Sequence, residues 1–307
     1  MPNLLDFRRR IRSVKNTQQI TRAMKFVAAA RLRRAQERVV AARPYARQIL
    51  RVLRSAEGRM PRDEEVVHPL LAMRPEKNVL AIVISADRGL CGAFNTNVLR
   101  KTAEFLRENA EKKIELVAVG KRVRDTLRRM RLPLKAEMIG VTMNVKFDNA
   151  KELAEMASTA YTNGEADAVY LIFNEFKNVM VQRLVVNRLL PIEAEVVTGP
   201  RNESAGHGSG AAGAGVAARG TEVDYIYEQP PKEIFDRLVP RYVESEVFRA
   251  LLESSAAEHA ARMTAMDAAT KNASDLIESL TLHMNKVRQA AITKEIIEVV
   301  SGAASAG

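Results

Sequence analysis

The residues that could carry out chemistry in this chain are few and scattered. Its histidines, His68, His207, His259 and His283, show no H-E-x-x-H or similar metal-ligand spacing. Cys91 is the only cysteine, which excludes an intramolecular disulfide and a multi-cysteine metal site. We expect it to be a free, buried thiol. No grouping of serine, histidine and acid can be assembled from the sequence.

Phosphate-binding motifs are also missing. The chain contains no G-x-x-x-x-G-K-[ST], and the glycines of Gly89-Leu90-Cys91-Gly92 lack the G-x-G-x-x-G spacing of a dinucleotide loop. Those glycines follow a predicted strand, and a tight turn is their favoured role. An enzyme built on the middle of the chain is therefore disfavoured, and we expect no cofactor and no metal.

The strongest chemical signal is positive charge at the amino-terminal end. Residues 1–60 hold sixteen Lys and Arg against three acids, whereas the rest of the chain has 32 basic and 34 acidic residues. The whole net charge of +11 therefore comes from the first segment. Nucleic acid, an anionic membrane surface and an acidic protein surface are the three classes of partner that could bind it.

The element that carries this charge is predicted to be a long helix with coiled-coil spacing. Apolar residues recur at intervals of three and four over about 50 residues, or roughly 75 Å of helix. Eleven of fourteen seam positions are apolar; we expect the polar three, Gln18, Thr21 and Lys25, to meet water or another chain. Pro44 is expected to kink or loosen the helix. The seam comprises Phe7, Ile11, Val14, Gln18, Thr21, Lys25, Ala28, Leu32, Ala35, Val39, Ala42, Ala46, Ile49 and Leu53.

Helical periodicity returns near the other end of the chain, after Pro230 and Pro231, with Pro240 expected to separate a short helix from a long one. Residues 241–301 would extend roughly 90 Å if fully helical. We expect the two terminal helices to pair antiparallel. The second seam comprises Ala256, His259, Met263, Met266, Thr270, Ala273, Ile277, Leu280, Met284, Val287 and Ala291.

The middle of the chain alternates strands and helices. An apolar, β-branched run at 79–85 predicts a strand covered on both faces, and further strands are predicted at 114–119, 168–176 and 181–190, with helices at 93–109 and 148–161. This alternation favours a mostly parallel sheet. The predicted fold class is α/β: a long antiparallel coiled coil of the N- and C-terminal helices plus a central Rossmann-like alternating α/β domain.

The predicted domains are an N-terminal shaft helix at 1–60, the central α/β domain at 75–198, a connection at 199–230 and a C-terminal shaft helix at 231–307. Residues 199–220 are rich in Gly, Ala and Ser, which make up fifteen of the twenty-two positions, and this composition predicts a flexible surface loop. No stretch approaches the roughly 18 to 20 apolar residues of a membrane span, so we expect a soluble protein that stays where it is made.

Several long segments together resemble the gamma subunit of F-type ATP synthase, of the bacterial type, almost from end to end. The segments are IRSVKNTQQITRAMKFVAAARLRRAQ at 11–36, SADRGLCGAFN at 85–95, RYVESE at 241–246, AARMTAMDAA at 260–269 and NKVRQAAITKEIIEVVSGA at 285–303. The Gly/Ala loop is the part without a confident match.

This resemblance implies a rotor shaft. The terminal helices would form a coiled coil inside a ring of three alpha and three beta subunits, and the central domain would lie near the epsilon subunit and the membrane c-ring. Nucleotide sites would belong to the ring, and the chain itself would be non-catalytic. Rotation would drive each catalytic site through its states in turn, coupling ion transport to ATP synthesis or hydrolysis. The complex would place the chain at the cell membrane, peripheral, on the cytoplasmic side.

The same resemblance implies two groups of partner-contact residues. An acidic loop of the beta subunit would face Met24, Lys25, Arg31, Arg33, Arg34 and Arg38, and a second loop of the ring would contact Arg288 and Gln289. Each of these could instead belong to an ordinary solvated helix face.

Two other hypotheses stay open from the residues alone. A structural coiled coil with no rotor role would have the same seams. A basic coiled-coil nucleic-acid-binding protein would use the charged helix to bind phosphates, with affinity falling steeply with salt. Few aromatic residues and no base-reading motif disfavour that alternative.

Overall fold

The computed structural model describes residues 4–57, 68–192 and 229–305. The chain divides into two compact units. The helical unit contains Met1–Arg33, Leu90–Gly92 and His259–Gly307, and the α/β unit contains Arg34–Gly89 and Ala93–Glu258. The helices are α1 (Leu4–Glu57), α2 (Phe94–Glu108), α3 (Lys121–Arg129), α4 (Phe147–Thr162) and α5 (Pro231–Ser305). The strands are β1 (Asn78–Ile84), β2 (Lys113–Val119), β3 (Leu134–Met138), β4 (Ala168–Phe176) and β5 (Gln182–Leu190).

In the helical unit, α1 and α5 pair antiparallel, as predicted. The ring of Phe7 lies 5.1 Å from that of His283, and the hydroxyl of Thr270 donates to that of Thr21 over 2.8 Å, so rising numbers on one helix meet falling numbers on the other. Every predicted seam position of both helices is buried or half-buried. The coiled-coil spacing therefore identified the apolar stripe of each helix correctly.

The prediction for the three polar seam residues of α1 was wrong. They do not turn away from α5, because each bonds a polar side chain of α5, although the Lys25 side chain remains 38% exposed. Matching donors and acceptors face each other at three successive turns. Of the three residues only Thr21 is buried, and there an unpaired hydroxyl would be costly. The pairs are Gln18 with Ser274 at 2.6 Å, Thr21 with Thr270 at 2.8 Å, and Lys25 with Asp267 at 2.5 Å.

The prediction that Pro240 separates two helices was also wrong, since α5 runs without a break from Pro231 to Ser305. A proline inside a helix costs about 3 kcal/mol. Val239, Val243 and Val247 are fully buried on this part of α5, and each contributes about 1.5 to 3 kcal/mol. Burial of this face outweighs the lost backbone hydrogen bond. Pro44 likewise lies inside the continuous α1.

The α/β unit is built on one five-stranded sheet in the order β3-β2-β1-β4-β5. Four strands are parallel, and β5 is antiparallel to β4. The central strand β1 is buried along its whole length except at Asn78, as its apolar run predicted. The mostly parallel sheet and the four predicted strands are confirmed.

Two elements, α3 and β3, were not predicted from the sequence. Helix α3 has nine residues, of which only Val123 and Leu127 are buried. Two apolar residues among charged ones are too few to show a helical period in the sequence. Strand β3 is a five-residue edge strand with no fully buried residue, and such a strand needs no alternating apolar pattern. Both elements are stabilised by contacts with β2 that a local pattern cannot reveal.

None of the helices among the described residues combines the length and the apolarity that crossing a bilayer requires. The predicted flexible loop at 199–220 lies outside the described residues, and the predicted domain boundaries stay predictions.

Candidate functional site

The residues predicted to contact partners lie on the two terminal helices, at exposed or half-exposed positions. Met24 and Lys25 of α1 are half-buried. The four arginines of α1 and the two residues of α5 are exposed; these are Arg31, Arg33, Arg34, Arg38, Arg288 and Gln289. The first four positions on α1 and both positions on α5 belong to the helical unit, whereas Arg34 and Arg38 belong to the α/β unit.

Helix spacing separates members of the predicted set. Met24 and Arg31 are seven residues apart, which places them on one face of α1 two turns apart. Arg33 follows Arg31 by two positions, and residues with that spacing point to different sides of a helix. A single loop lying along the face of Met24 and Arg31 would therefore not face Arg33 equally well.

Lys25 and Arg38 are predicted contact residues that already bind other groups of the chain. Lys25 Nζ lies 2.5 Å from Asp267 Oδ1, and both side chains are substantially exposed. Arg38 Nη2 donates to the backbone carbonyl of Val145, within the α/β unit. These two cations help to hold this protein's own structure, and any contact with a partner would be added to that role.

The structure also shows an exposed apolar surface on α1 that sequence analysis did not single out. Ile20, Phe26 and Val27 are 59%, 62% and 53% exposed. Their signal in the sequence was an apolar residue off the seam within a basic helix. Exposed apolar side chains next to cations are typical of a protein-binding surface more than of one that binds only phosphates.

A buried pair of one histidine and one arginine in the helical unit was missed as well. His259 and Arg262 are 5% and 8% exposed on α5, and Arg262 Nη1 lies 3.4 Å from His259 Nδ1. Burial, together with the neighbouring charges of Arg262 and Arg31, lowers the pKa of His259 to about 4. The imidazole is therefore neutral in the folded protein at neutral pH.

We expect this histidine to make folding sensitive to mild acid. An unfolded chain protonates His259 near pH 6.5, whereas the folded protein does so near pH 4. Between these values the unfolded state binds the extra proton, so stability falls as pH falls, by about 3 kcal/mol at pH 4. Urea denaturation from pH 7 to pH 4 measures this. His259→Gln should flatten that part of the profile. Equal profiles for wild type and His259→Gln would contradict the assignment.

The segment after β1 forms a tight turn, which is the role predicted for its glycines from the sequence. Asp87 is 9% exposed and accepts hydrogen bonds from the backbone nitrogens of Lys121 and Gly140 at 3.0 Å each and from the Thr142 hydroxyl at 3.0 Å. Its carboxylate thus ties together three segments of the α/β unit.

The backbone of the segment that follows has the conformation of a tight turn. Leu90 and Gly92 have φ of 62° and 56°, in the left-handed region that tight turns use.

Among the described residues, no group of three or more His, Cys, Asp or Glu side chains could hold a metal ion. What these surfaces offer is binding: cations and apolar side chains along α1, and a polar pair of residues on α5. The fold defines a class of protein in which both chain ends form an antiparallel helix pair and the segment between them forms a parallel α/β sheet.

Comparison with known proteins identifies the family within that class. The family model described as ATP synthase matches residues 3–306. A protein named ATP synthase gamma chain from Solibacter usitatus is 48% identical over 307 residues, covering 100% of both chains. Another of that name, from Pelotomaculum thermopropionicum, is 46% identical over 99% of both chains. The chain belongs to the ATP synthase gamma chain family.

Solved structures agree on the fold. A chain of the Tetrahymena thermophila mitochondrial ATP synthase central stalk and c-ring matches with a TM-score of 0.56 and 26% identity, covering 81% of this chain and 99% of the other. A rotor chain of the Euglena gracilis mitochondrial ATP synthase matches with a TM-score of 0.63 and 22% identity, covering 94% and 98%. The predicted family and fold class are confirmed.

Proposed function

We propose that this protein is the central rotor shaft of an F-type ATP synthase, coupling ion-driven rotation to ATP synthesis or hydrolysis in a surrounding ring of alpha and beta subunits. The observation that carries this function is the match to ATP synthase gamma chains over the whole length of the chain. The antiparallel pairing of α1 and α5 supports it, because a paired helix resists bending and twisting better than a single one.

The shaft itself takes no part in bond making. The sequence has no phosphate-binding loop, which agrees with nucleotide sites that belong to other subunits. Its contribution is a differential contact: each orientation of an asymmetric surface favours a different state of each surrounding site. Exposed cations and apolar side chains spread unevenly around α1 supply such asymmetry.

The rotor role also implies particular partner subunits and contact residues. Three alpha and three beta subunits would surround the helical unit, and the epsilon subunit and the c-ring would bind elsewhere on the chain. The chain would be peripheral to the cell membrane on its cytoplasmic side. Met24, Lys25, Arg31, Arg33, Arg34, Arg38, Arg288 and Gln289 are proposed to contact the ring.

Co-purification tests the assignment directly. A tagged chain isolated from its native membranes at moderate salt should bring alpha and beta subunits with it at three to three to one, together with ATPase activity. Recovery of the chain alone, or with nucleic acid as in the alternative hypothesis, would overturn the proposal. Nothing in the comparisons supports the nucleic-acid alternative.

Neutralising the proposed contact residues tests their role in the complete complex. Exposed ion pairs contribute up to about 1 kcal/mol each, so Arg31→Gln with Arg34→Gln should slow ATP hydrolysis by about five- to thirtyfold. Arg38 is left intact because it also binds Val145. The matched control is Arg47→Gln with Arg51→Gln, which removes the same charge from exposed positions of α1 and should change the rate less than twofold. Equal losses in the two double variants would show that only net charge matters.

A further inference from the structure

The segment at 139–146 connects β3 to α4 without being part of either, and we call it the β3–α4 loop. Connecting segments usually run over the surface of a protein and are exposed. In this loop Val141, Thr142 and Val145 are buried. Their burial indicates that the loop holds neighbouring parts of the α/β unit together.

One side of the loop is bonded to the end of the central strand β1. Asp87, three residues after β1, accepts hydrogen bonds from the backbone nitrogen of Gly140 and from the hydroxyl of Thr142, both at 3.0 Å. Hydrogen bonds to a charged group contribute about 1.5 to 3 kcal/mol each, and the bond from the hydroxyl is buried. The loop therefore has a fixed position relative to β1.

The other side of the loop is bonded to both terminal helices. The hydroxyl of Ser255 on α5 donates to the backbone carbonyl of Thr142 at 2.9 Å, and this bond is buried. On α1, Arg38 donates to the backbone carbonyl of Val145. Both contacts lie within the α/β unit, which contains residues 34–57 of α1 and 231–258 of α5.

Packing next to the loop adds a second contact with α5. Phe147 directly follows the loop, and its ring meets that of Phe248 edge to face at 5.5 Å. Phe248 and Ser255 are seven residues apart, so they lie on one face of α5 about 10 Å from each other. Contact at two separate points fixes the orientation of a helix as well as its position.

Thr142 joins the two sides of the loop. Its side chain bonds Asp87, and its backbone carbonyl accepts the bond from Ser255. Two hydrogen bonds through one buried residue therefore connect the end of β1 with α5, and such networks couple the elements that they join. We infer that the β3–α4 loop positions both shaft helices on the sheet, so that torque on the helices turns the sheet with them. The torque in this inference rests on the proposed rotor function.

The full-length chain tests the positioning without any partner. Cys91 is buried, so spin labels can be attached to cysteines introduced at the exposed Glu108 of α2 and Arg237 of α5, and pulsed electron spin resonance measures their separation. Ser255→Ala removes one of two contacts on α5. Halving the stiffness doubles the variance, so the distribution of separations should widen by up to about 1.4-fold. Ser254→Ala is the matched control, because the Ser254 hydroxyl is buried without a hydrogen-bond partner among the described residues; it should leave the width unchanged.

A second variant tests the path through Thr142. Thr142→Val removes the bond to Asp87, and loss of either bond breaks the same path. Thr142→Val should therefore widen the distribution as much as Ser255→Ala does, and the double variant should widen it no further. Thr142→Ser keeps the hydroxyl and should restore the wild-type width. Urea denaturation of the same chains separates this role from stability, because a bond that only stabilises the fold would change the free energy of unfolding and not the width.

The complete complex tests the consequence for rotation. With the complex held through its alpha and beta subunits and a probe attached at Glu108→Cys, the angular spread of the probe at rest reports the torsional stiffness of the shaft. Ser255→Ala and Thr142→Val should increase that spread. ATP hydrolysis should stay at the wild-type rate, because both residues are buried and cannot contact the ring.

Two results would overturn the inference. One is a chain in which Ser255→Ala and Ser254→Ala give equal distributions of label separation. The other is a wider distribution in the chain with an unchanged angular spread in the complex, which would mean that partner subunits position the helices instead. A wider distribution in a chain that brings no alpha or beta subunits would overturn the rotor function and support the positioning role of the loop.

Discussion

Replacing Gly120 by alanine is expected to destabilise the α/β unit by about 4 kcal/mol or more, which is at the upper end of single-residue effects. Gly120 follows β2 and precedes α3, with a φ of +102° that L-residues rarely adopt. A Cβ at this position would lie 2.3 Å from the carbonyl oxygen of Ser85. The clash is with backbone, so β1 and β2 would have to separate at their ends.

Gly140 provides the matched control. It also has a positive φ, +79°, but an added Cβ would meet nothing within 4 Å. Gly140→Ala should therefore cost only the conformational strain, about 1 to 2 kcal/mol. Urea denaturation measures both variants, and hydrogen exchange of the β1 and β2 amides locates the loss. A Gly120→Ala protein no less stable than Gly140→Ala would show that the Ser85 backbone moves aside easily.

The elements that could be predicted from the sequence are those whose apolar pattern is long enough to identify a helix or a strand without ambiguity. The seam of α1 recurs over fourteen positions, and β1 has six consecutive buried residues, so each period was unambiguous. The short elements α3 and β3 have too few buried residues for a period to be visible. They exist because β2 and its neighbours provide surfaces for them to pack on.

Pairing chemistry across the helices could not be read from one helix alone. Thr21 and Lys25 look out of place in an apolar seam until Thr270 and Asp267 are placed opposite them. Both partners stand in the sequence of α5, but their register against α1 depends on how the two helices meet. A polar residue in a seam is therefore a sign of a matching polar residue in the partner helix as much as of exposure to water.

In the candidate site, too, some features could be predicted from the sequence and others could not. Charge on α1 was evident from composition, because sixteen cations among sixty residues need no structure to be noticed. The buried neutral state of His259 was not evident, since it depends on packing and on the positions of Arg262 and Arg31. Sequence identified the charged surface, and only the structure separated exposed cations from those with partners inside the chain.

The second large effect is expected at Arg249, a cation of α5 held between two acidic side chains. Its Nη2 lies 2.6 Å from Glu246 Oε2, and its Nη1 lies 3.4 Å from Glu253 Oε1. The carboxylate side chains are only 18% and 7% exposed. Burial raises the pKa of Glu253, and Arg249 opposes that shift. The cation therefore favours the ionised form of the poorly hydrated Glu253 carboxylate.

Arg249→Met should lower the free energy of unfolding by about 3 to 5 kcal/mol at pH 7, because it leaves buried carboxylates without their cation. Burial already raises the folded pKa of Glu253, and losing Arg249 removes the charge that opposes this shift, so the loss of stability should shrink as pH falls toward 5, where protonation of Glu253 removes its charge. Arg237→Met is the control: Arg237 is exposed on α5 and contacts the neutral Gln229, and its loss should cost under about 0.5 kcal/mol.

A double variant separates unpaired charge from lost packing. Glu253→Gln added to Arg249→Met removes one of the two stranded charges, so it should restore about 1 to 3 kcal/mol at pH 7 and weaken the pH dependence of the stability. Urea denaturation of the four proteins in this cycle, at pH 7 and pH 5, gives the coupling energy directly. Additive effects at both pH values would mean that Arg249 stabilises α5 through its hydrocarbon stem and not through its charge.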